Sequence, residues 1–124
     1  ILFLLTPTDF SAWHRIVQTE LWHFYAGDPV EHVQLEREGG ALRVTRLGSN
    51  VLGGDVPQLT VPAGMWQAAR LAGGGRSSPG AAGYALVGCT LTPAWDEAGF
   101  ELGERDALMK SFPAAAEWIR ALTR

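Results

Sequence analysis

The sequence predicts an all-β domain. Short apolar or alternating runs recur along most of the chain, separated by Gly, Pro, Asn and Asp, and no long helical periodicity appears before the C-terminus. That is the pattern of a sandwich or barrel. A chain of 124 residues holds material for one core, so a single domain over 1–124 is expected. Its strands end near residue 103, and a helical segment follows over about 104–124.

The expected strands are, in order, Ile1–Leu5, Ala12–Val17, Glu20–Tyr25, Val30–Glu36, Ala41–Leu47, Gln58–Val61, Met65–Ala69, Tyr84–Leu91 and Gly99–Leu102. Ala26–Pro29 and Arg37–Gly40 read as turns, since Gly supplies positive φ and Pro fixes the entry angle. The stretch 72–83, rich in glycine with two serines and a proline, reads as a mobile loop between strands. Pro113 suits the first turn of a helix whose Ala114, Ala115, Trp118, Ile119 and Leu122 repeat on one face, with Glu117, Arg120 and Arg124 on the other. The Trp118 side is expected to pack on the strands.

Composition narrows the partners. With 47% apolar and 19% charged residues the chain is globular rather than disordered. A net charge of -3 without any lysine- or arginine-rich run argues against nucleic acid. The lone cysteine, Cys89, precludes an internal disulfide and suits a reducing cytoplasm. The apolar run Ile1–Leu5 stops at Thr6-Pro7, too short to span a membrane, and no basic leader or cleavage site accompanies it. The chain opens inside a strand without an initiating methionine, so a preceding segment is expected.

Two segments carry the chemistry. Ser11 to Pro29 contains Trp13-His14-Arg15 and then Glu20-Leu21-Trp22-His23-Phe24-Tyr25-Ala26-Gly27-Asp28-Pro29. Val61-Pro62-Ala63-Gly64-Met65-Trp66-Gln67 is the second, preceded by Leu47-Gly48 and Pro57-Gln58 and followed later by Val87 to Pro93. Together they resemble a particular group of cupins, known as a domain of unknown function. The resemblance spans roughly Ile1 to Pro113. It implies a double-stranded β-helix, an RmlC-like jelly-roll barrel, with a short C-terminal α-helix. It also aligns the two cupin motifs: His14 stands at the first histidine, Ile16 at the second, Glu20 at the glutamate, Gly27 at the glycine turn and Gln67 at the third histidine. Two features depart from the group. Ala94-Trp95 stands where a Gly-Phe pair is expected, and an N-terminal helix and first strand are absent.

Residues two apart on a strand share a face. His14 therefore shares its face with Ala12 and Ile16, Glu20 with Trp22 and Phe24, and Gln67 with Met65 and Ala69. If His14 points inward, as the resemblance implies, the cavity holds an imidazole, a carboxylate and an amide. The ligand-binding candidates Ile16, Trp22, Phe24, Met65 and Gln67 surround or join them, as a small-molecule site requires. The usual cupin metal set is reduced to His14, Glu20 and Gln67, because Ile16 cannot ligate and an amide is a weaker donor than imidazole. No resident cofactor is expected, only a weakly bound divalent metal. Without metal, His14 and Glu20 can still transfer protons, since imidazole titrates near neutrality and an apolar cup raises a carboxylate towards it. Equally, Glu20 can pair with His14 or Gln67 as a satisfied polar core.

The remaining polar and aromatic residues are assigned structural roles. His23 and Tyr25 face away from the cavity by parity, His32 is expected to be solvated, and Arg15 to form an ion pair near Glu20's neighbours. Cys89, mid-strand with no basic neighbour, reads as an inert buried thiol. Trp13 and Trp66 point outward, and subunit contact is their expected cover. Gly73–Gly75 lacks the strand-before, helix-after setting of a phosphate cradle. The leading expectation is a cytoplasmic homodimer that binds a small polar organic molecule. It would isomerise or epimerise a sugar-like or keto-acid substrate through His14 and Glu20. The alternatives are a metal-dependent oxygenase or lyase and a non-catalytic ligand-binding module.

Overall fold

The computed structural model describes residues 1–37, 40–75 and 79–124. The middle of the expected Arg37–Gly40 turn and the centre of the glycine-rich loop lie outside the described residues. The strands are β1 (Leu2–Leu5), β2 (Ser11–Ile16), β3 (Thr19–Gly27), β4 (Val30–Leu35), β5 (Leu42–Leu47), β6 (Gln58–Val61), β7 (Trp66–Leu71), β8 (Ala85–Thr92) and β9 (Phe100–Leu102). Each differs from its sequence-based expectation by a residue or two at most. The near end of the glycine-rich stretch, Ala72–Gly75, is a short 3-10 turn.

Among the described residues the strands form two antiparallel sheets, one ordered β1-β8-β3-β6 and the other β5-β4-β7-β2-β9. Sequential neighbours are often apart in the sheets, the long-range pairing of a jelly roll. Between the sheets lies one core, with Leu5, Trp22, Val61 and Val87 from the first facing Val30, Leu47, Ala69 and Leu71 from the second. At the end of β3 the chain reverses at Gly27, whose φ is +94° and where a Cβ would lie 2.1 Å from the Tyr84 carbonyl oxygen. Only glycine fits there.

The second core is on the outer face of the larger sheet. Two short helices cover it, α1 (Arg105–Ser111) and α2 (Ala116–Ala121), joined by a 3-10 turn at Pro113–Ala115. Glu104 caps α1 by accepting from the Asp106 and Ala107 amides. Sequence periodicity predicted one helix starting at Pro113, whereas this proline opens the connecting turn. The apolar face expected there does pack inward: Ala115, Ile119 and Leu122 are buried against Val33, Leu35 and Ala68. Among the described residues no helix is long and apolar enough to cross a membrane.

This second core corrects the reading of Trp13. The side chain does point out of the inter-sheet space, but its cover is the chain's own C-terminal segment rather than a partner. Trp13 is fully buried among Leu108, Phe112 and Leu122, and its Nε1 donates to the Trp118 carbonyl at 3.1 Å. Trp66 is half-buried beside it, with the Arg15 guanidinium 4.7 Å from its ring centroid. Arg15 pairs with Glu101 at 2.6 Å.

Candidate functional site

Cross-strand register assembles the site. On the inner face of the larger sheet, Gln67 of β7 lies opposite His14 of β2 on one side and Gln34 of β4 on the other. Glu20 and Trp22 come from β3 in the facing sheet, where Trp22 lies opposite Cys89. Alternation along four strands thus gathers polar groups that are far apart in sequence.

A buried hydrogen-bonded chain links them. Trp22 Nε1 donates to Gln67 Oε1 at 3.0 Å, and Gln67 Nε2 donates to Glu20 Oε2 at 2.5 Å. Indole N–H can only donate, so it fixes which end of the amide is oxygen. The same oxygen lies 3.0 Å from His32 Nε2, which must therefore carry its proton. His32 Nδ1 is then bare, and among the described residues it is buried without a partner. Burial, together with the nearby charge of His14 and despite the Gln67 bond, pushes the His32 imidazole down to about 4. At neutral pH it is uncharged.

His32 is the residue that sequence reasoning misplaced. It was expected in solvent and is fully buried, in edge contact with Trp22 at a centroid distance of 4.9 Å. Its alternation with Val30 and Gln34 reads as polar, but Val30 belongs to the inter-sheet core and takes His32 and Gln34 inward with it. Gln34 was likewise not singled out. It is buried and donates to the Thr60 carbonyl across the sheets at 3.4 Å.

His14 has a different environment. Its Nδ1 donates to the Ala12 carbonyl at 2.7 Å, and its ring stacks on Phe100 at 5.5 Å between centroids. A ring whose Nδ1–H is held by a carbonyl presents a lone pair at Nε2. Among the described residues, neither His14 Nε2 nor Glu20 Oε1 has a protein partner, and neither is among the sealed polar atoms. Both residues line a half-open cavity of about 740 Å3, so these two atoms open onto it. Ile16, Trp22 and Cys89 form part of the same wall.

The other expected ligand-binding residues sit elsewhere. Phe24 and Met65 pack against the inter-sheet core and do not line this cavity, and Gln67 lies behind Glu20, sealed from solvent. Phe24 shares the inner face with Trp22 in unbroken register, opposite Val87, but there it packs into the inter-sheet core beyond the cavity wall. Met65 precedes β7 in the turn from Pro62. Conversely, Phe3, Phe10, Trp95, Phe100 and Leu102 line the cavity and were not foreseen. Ala94-Trp95 departs from the cupin pattern, and that departure was the available signal for Trp95. Cys89 is buried as expected, and burial with the adjacent Glu20 charge pushes its thiol up to about 12.

Comparison with known proteins identifies the family. The family model described as Cupin superfamily (DUF985) matches residues 1–103. The chain belongs to this cupin family. A crystal structure of a Shewanella oneidensis protein superposes on this cupin with a TM-score of 0.86 at 28% identity, covering 99% of this chain and 72% of that one. A hypothetical protein from Leishmania major gives 0.87 at 30% identity, covering 98% and 73%. A dTDP sugar isomerase from Desulfovibrio desulfuricans gives 0.67 at 21% identity, covering 86% and 64%, a likeness of fold alone. A search among curated proteins finds no match.

The cupin fold raises the question of a metal, and the donor set fits one poorly. Among the described residues no three of His, Cys, Asp and Glu are grouped to hold an ion. Gln67 cannot complete a set with His14 and Glu20, because its oxygen is turned away from Glu20 and already accepts two hydrogen bonds. Turning the amide round would set its NH2 against the indole N–H. Two donors are left where a held metal ordinarily has three or four protein ligands.

Proposed function

We propose that this cupin binds a small organic molecule in the inter-sheet cavity and moves a proton beside a carbonyl, without metal, as an isomerase or epimerase does. The observation that carries this reading is the locked tautomer of His14, with a bare Nε2 opening on the cavity that Glu20 shares. In the step, Nε2 takes a proton from the carbon next to the carbonyl. The C–H electron pair becomes the enolate double bond and the carbonyl π pair moves to oxygen. Return of the proton from Nε2 restores the carbonyl with the original configuration, and inversion requires a second group, the Glu20 carboxyl, to deliver a proton to the opposite face. Glu20, held by Gln67, orients a hydroxyl of the ligand or exchanges the second proton. Sugar-like ketones and keto acids are the substrate classes with such a carbon. Incorporation of solvent deuterium over a panel of these compounds tests the reading.

A metal-dependent oxygenase or lyase, by contrast, needs Gln67 or another donor to turn towards the cavity. Protein purified without added metal is expected to carry well under one equivalent of transition metal, released by chelator dialysis. A stoichiometric ion that survives a chelator, with His14 and Glu20 bound to it, would replace the acid–base reading.

The assembly in this reading is a homodimer through the outer face of the smaller sheet. Leu2, Leu4 and Tyr25 are exposed on that face, and Tyr25 lies across Gly88, where a Cβ would come within 2.6 Å of its ring. With Trp13 covered internally, this apolar face is what a second copy would shield. Sedimentation at micromolar concentration should show a dimer, and Leu4→Glu should shift it to monomer. A wild-type monomer at that concentration would contradict the assignment.

A further inference from the structure

The cavity wall also indicates what kind of molecule fits it. Five aromatic side chains line it: Phe3, Phe10, Trp22, Trp95 and Phe100. Trp95 and Phe100 are 5.6 Å apart between centroids, and Phe100 in turn stacks on His14 at 5.5 Å, so an aromatic track runs from the mouth to the imidazole. The mouth end is open. Trp95, Phe100 and Leu102 are 53%, 40% and 56% exposed, an apolar rim that a folded chain leaves bare where something binds.

Polar groups are few. Thr90 turns its hydroxyl outward to His23 Nε2 at 3.1 Å, and Arg124 is already engaged by Asp9 and the Phe10 carbonyl. That leaves Ser11, His14 and Glu20 as the side chains able to meet a ligand's polar atoms within the cavity. A bare sugar would bury several hydroxyls against carbon, each unpaired group opposing binding. A flat ring with a single oxygen-bearing end would not.

We propose that the ligand is a compact molecule with a planar apolar body, aromatic or similarly unsaturated, and a carbonyl or hydroxyl head. Its body lies along Trp95 and Phe100, and its head reaches His14 and Glu20. The proposal rests on the cavity being the binding site and narrows the substrate class of the acid–base reading.

A matched pair of probes separates the two claims: 2-hydroxyacetophenone and dihydroxyacetone carry the same hydroxyketone head, with and without a ring. Calorimetric titration should show the aryl compound binding at least tenfold more tightly. Trp95→Ala and Phe100→Ala should each reduce that preference severalfold, while Leu52→Ala, at a fully exposed site away from the cavity, should leave it unchanged. Trp95 is half-exposed on a loop, so its replacement leaves the core intact even if Phe100→Ala weakens folding. Equal affinity for the two probes, or a preference that survives Trp95→Ala, overturns the aromatic assignment. Deuterium exchange is read separately. Tight aryl binding with no exchange across the hydroxyketone and keto-acid panel would leave this inference standing and remove the proton-transfer reading.

Discussion

Replacing Gln67 with leucine should lower stability by about 4 kcal/mol, although the two side chains are similar in volume. Gln67 is fully buried and serves three neighbours at once: it accepts from Trp22 and His32 and donates to Glu20. Leucine would leave the Trp22 and His32 N–H groups without acceptors in the core. Each such orphan costs about 1–3 kcal/mol, and Glu20 loses its donor as well. For a domain of this size the melting temperature should fall by roughly 10–20 °C. Gln34→Leu is the comparison, because Gln34 makes a single long bond to the Thr60 carbonyl. Its loss should be nearer 1 kcal/mol. Equal melting temperatures for the two variants would show that the Gln67 junction does not hold the core as described.

Acidification should expose His32. An unfolded chain protonates this imidazole near 6.5, whereas the folded protein resists until about 4. Between those values the unfolded state binds more protons, so folding stability rises with pH across that window. The contribution is fully present above pH 6.5 and is lost as pH falls towards 4. Its full size is about 3 kcal/mol, from the conversion of 1.36 kcal/mol per pKa unit. His32→Gln keeps a donor aimed at Gln67 and removes the titration. Denaturant unfolding at a series of pH values should therefore give the variant a shallower loss of stability between pH 6.5 and 4. Parallel curves for the two proteins would place the buried proton somewhere other than His32.

The strands were legible because this fold writes itself in period-two alternation broken by glycine and proline, and the cupin motifs supplied the register of His14, Glu20 and Gln67 in advance. What the alternation could not show was cover. Val30–Leu35 is buried on both faces, one by the opposite sheet and the other by the C-terminal helices. With Val33 and Leu35 taken as the covered face, His32 and Gln34 look solvated although the opposite sheet buries them, and Trp13 on β2 looks unpartnered until the helices cover it. Within the expected helical segment of 104–124, α1 was not distinguished as a helix of its own, for a related reason. It is seven residues long, with only Leu108 buried, so its periodicity is too short to register. The aromatic mouth was hidden differently: Phe3 lies far in sequence from Trp95 and Phe100, and only the facing of the two sheets brings β1 and β9 to one opening.

The central claim is that His14 transfers a proton to and from carbon in this cavity. The direct measurement is solvent-deuterium incorporation into hydroxyketone and keto-acid probes, followed by NMR in metal-depleted protein. Wild-type protein should exchange the hydrogen beside the carbonyl of at least one probe, and His14→Gln should slow that exchange by about 100-fold or more. Glu20→Gln should also slow it, while His23→Gln, on the outer face, should not. Exchange that is absent in wild type across the panel, or unaltered in His14→Gln, would contradict the account.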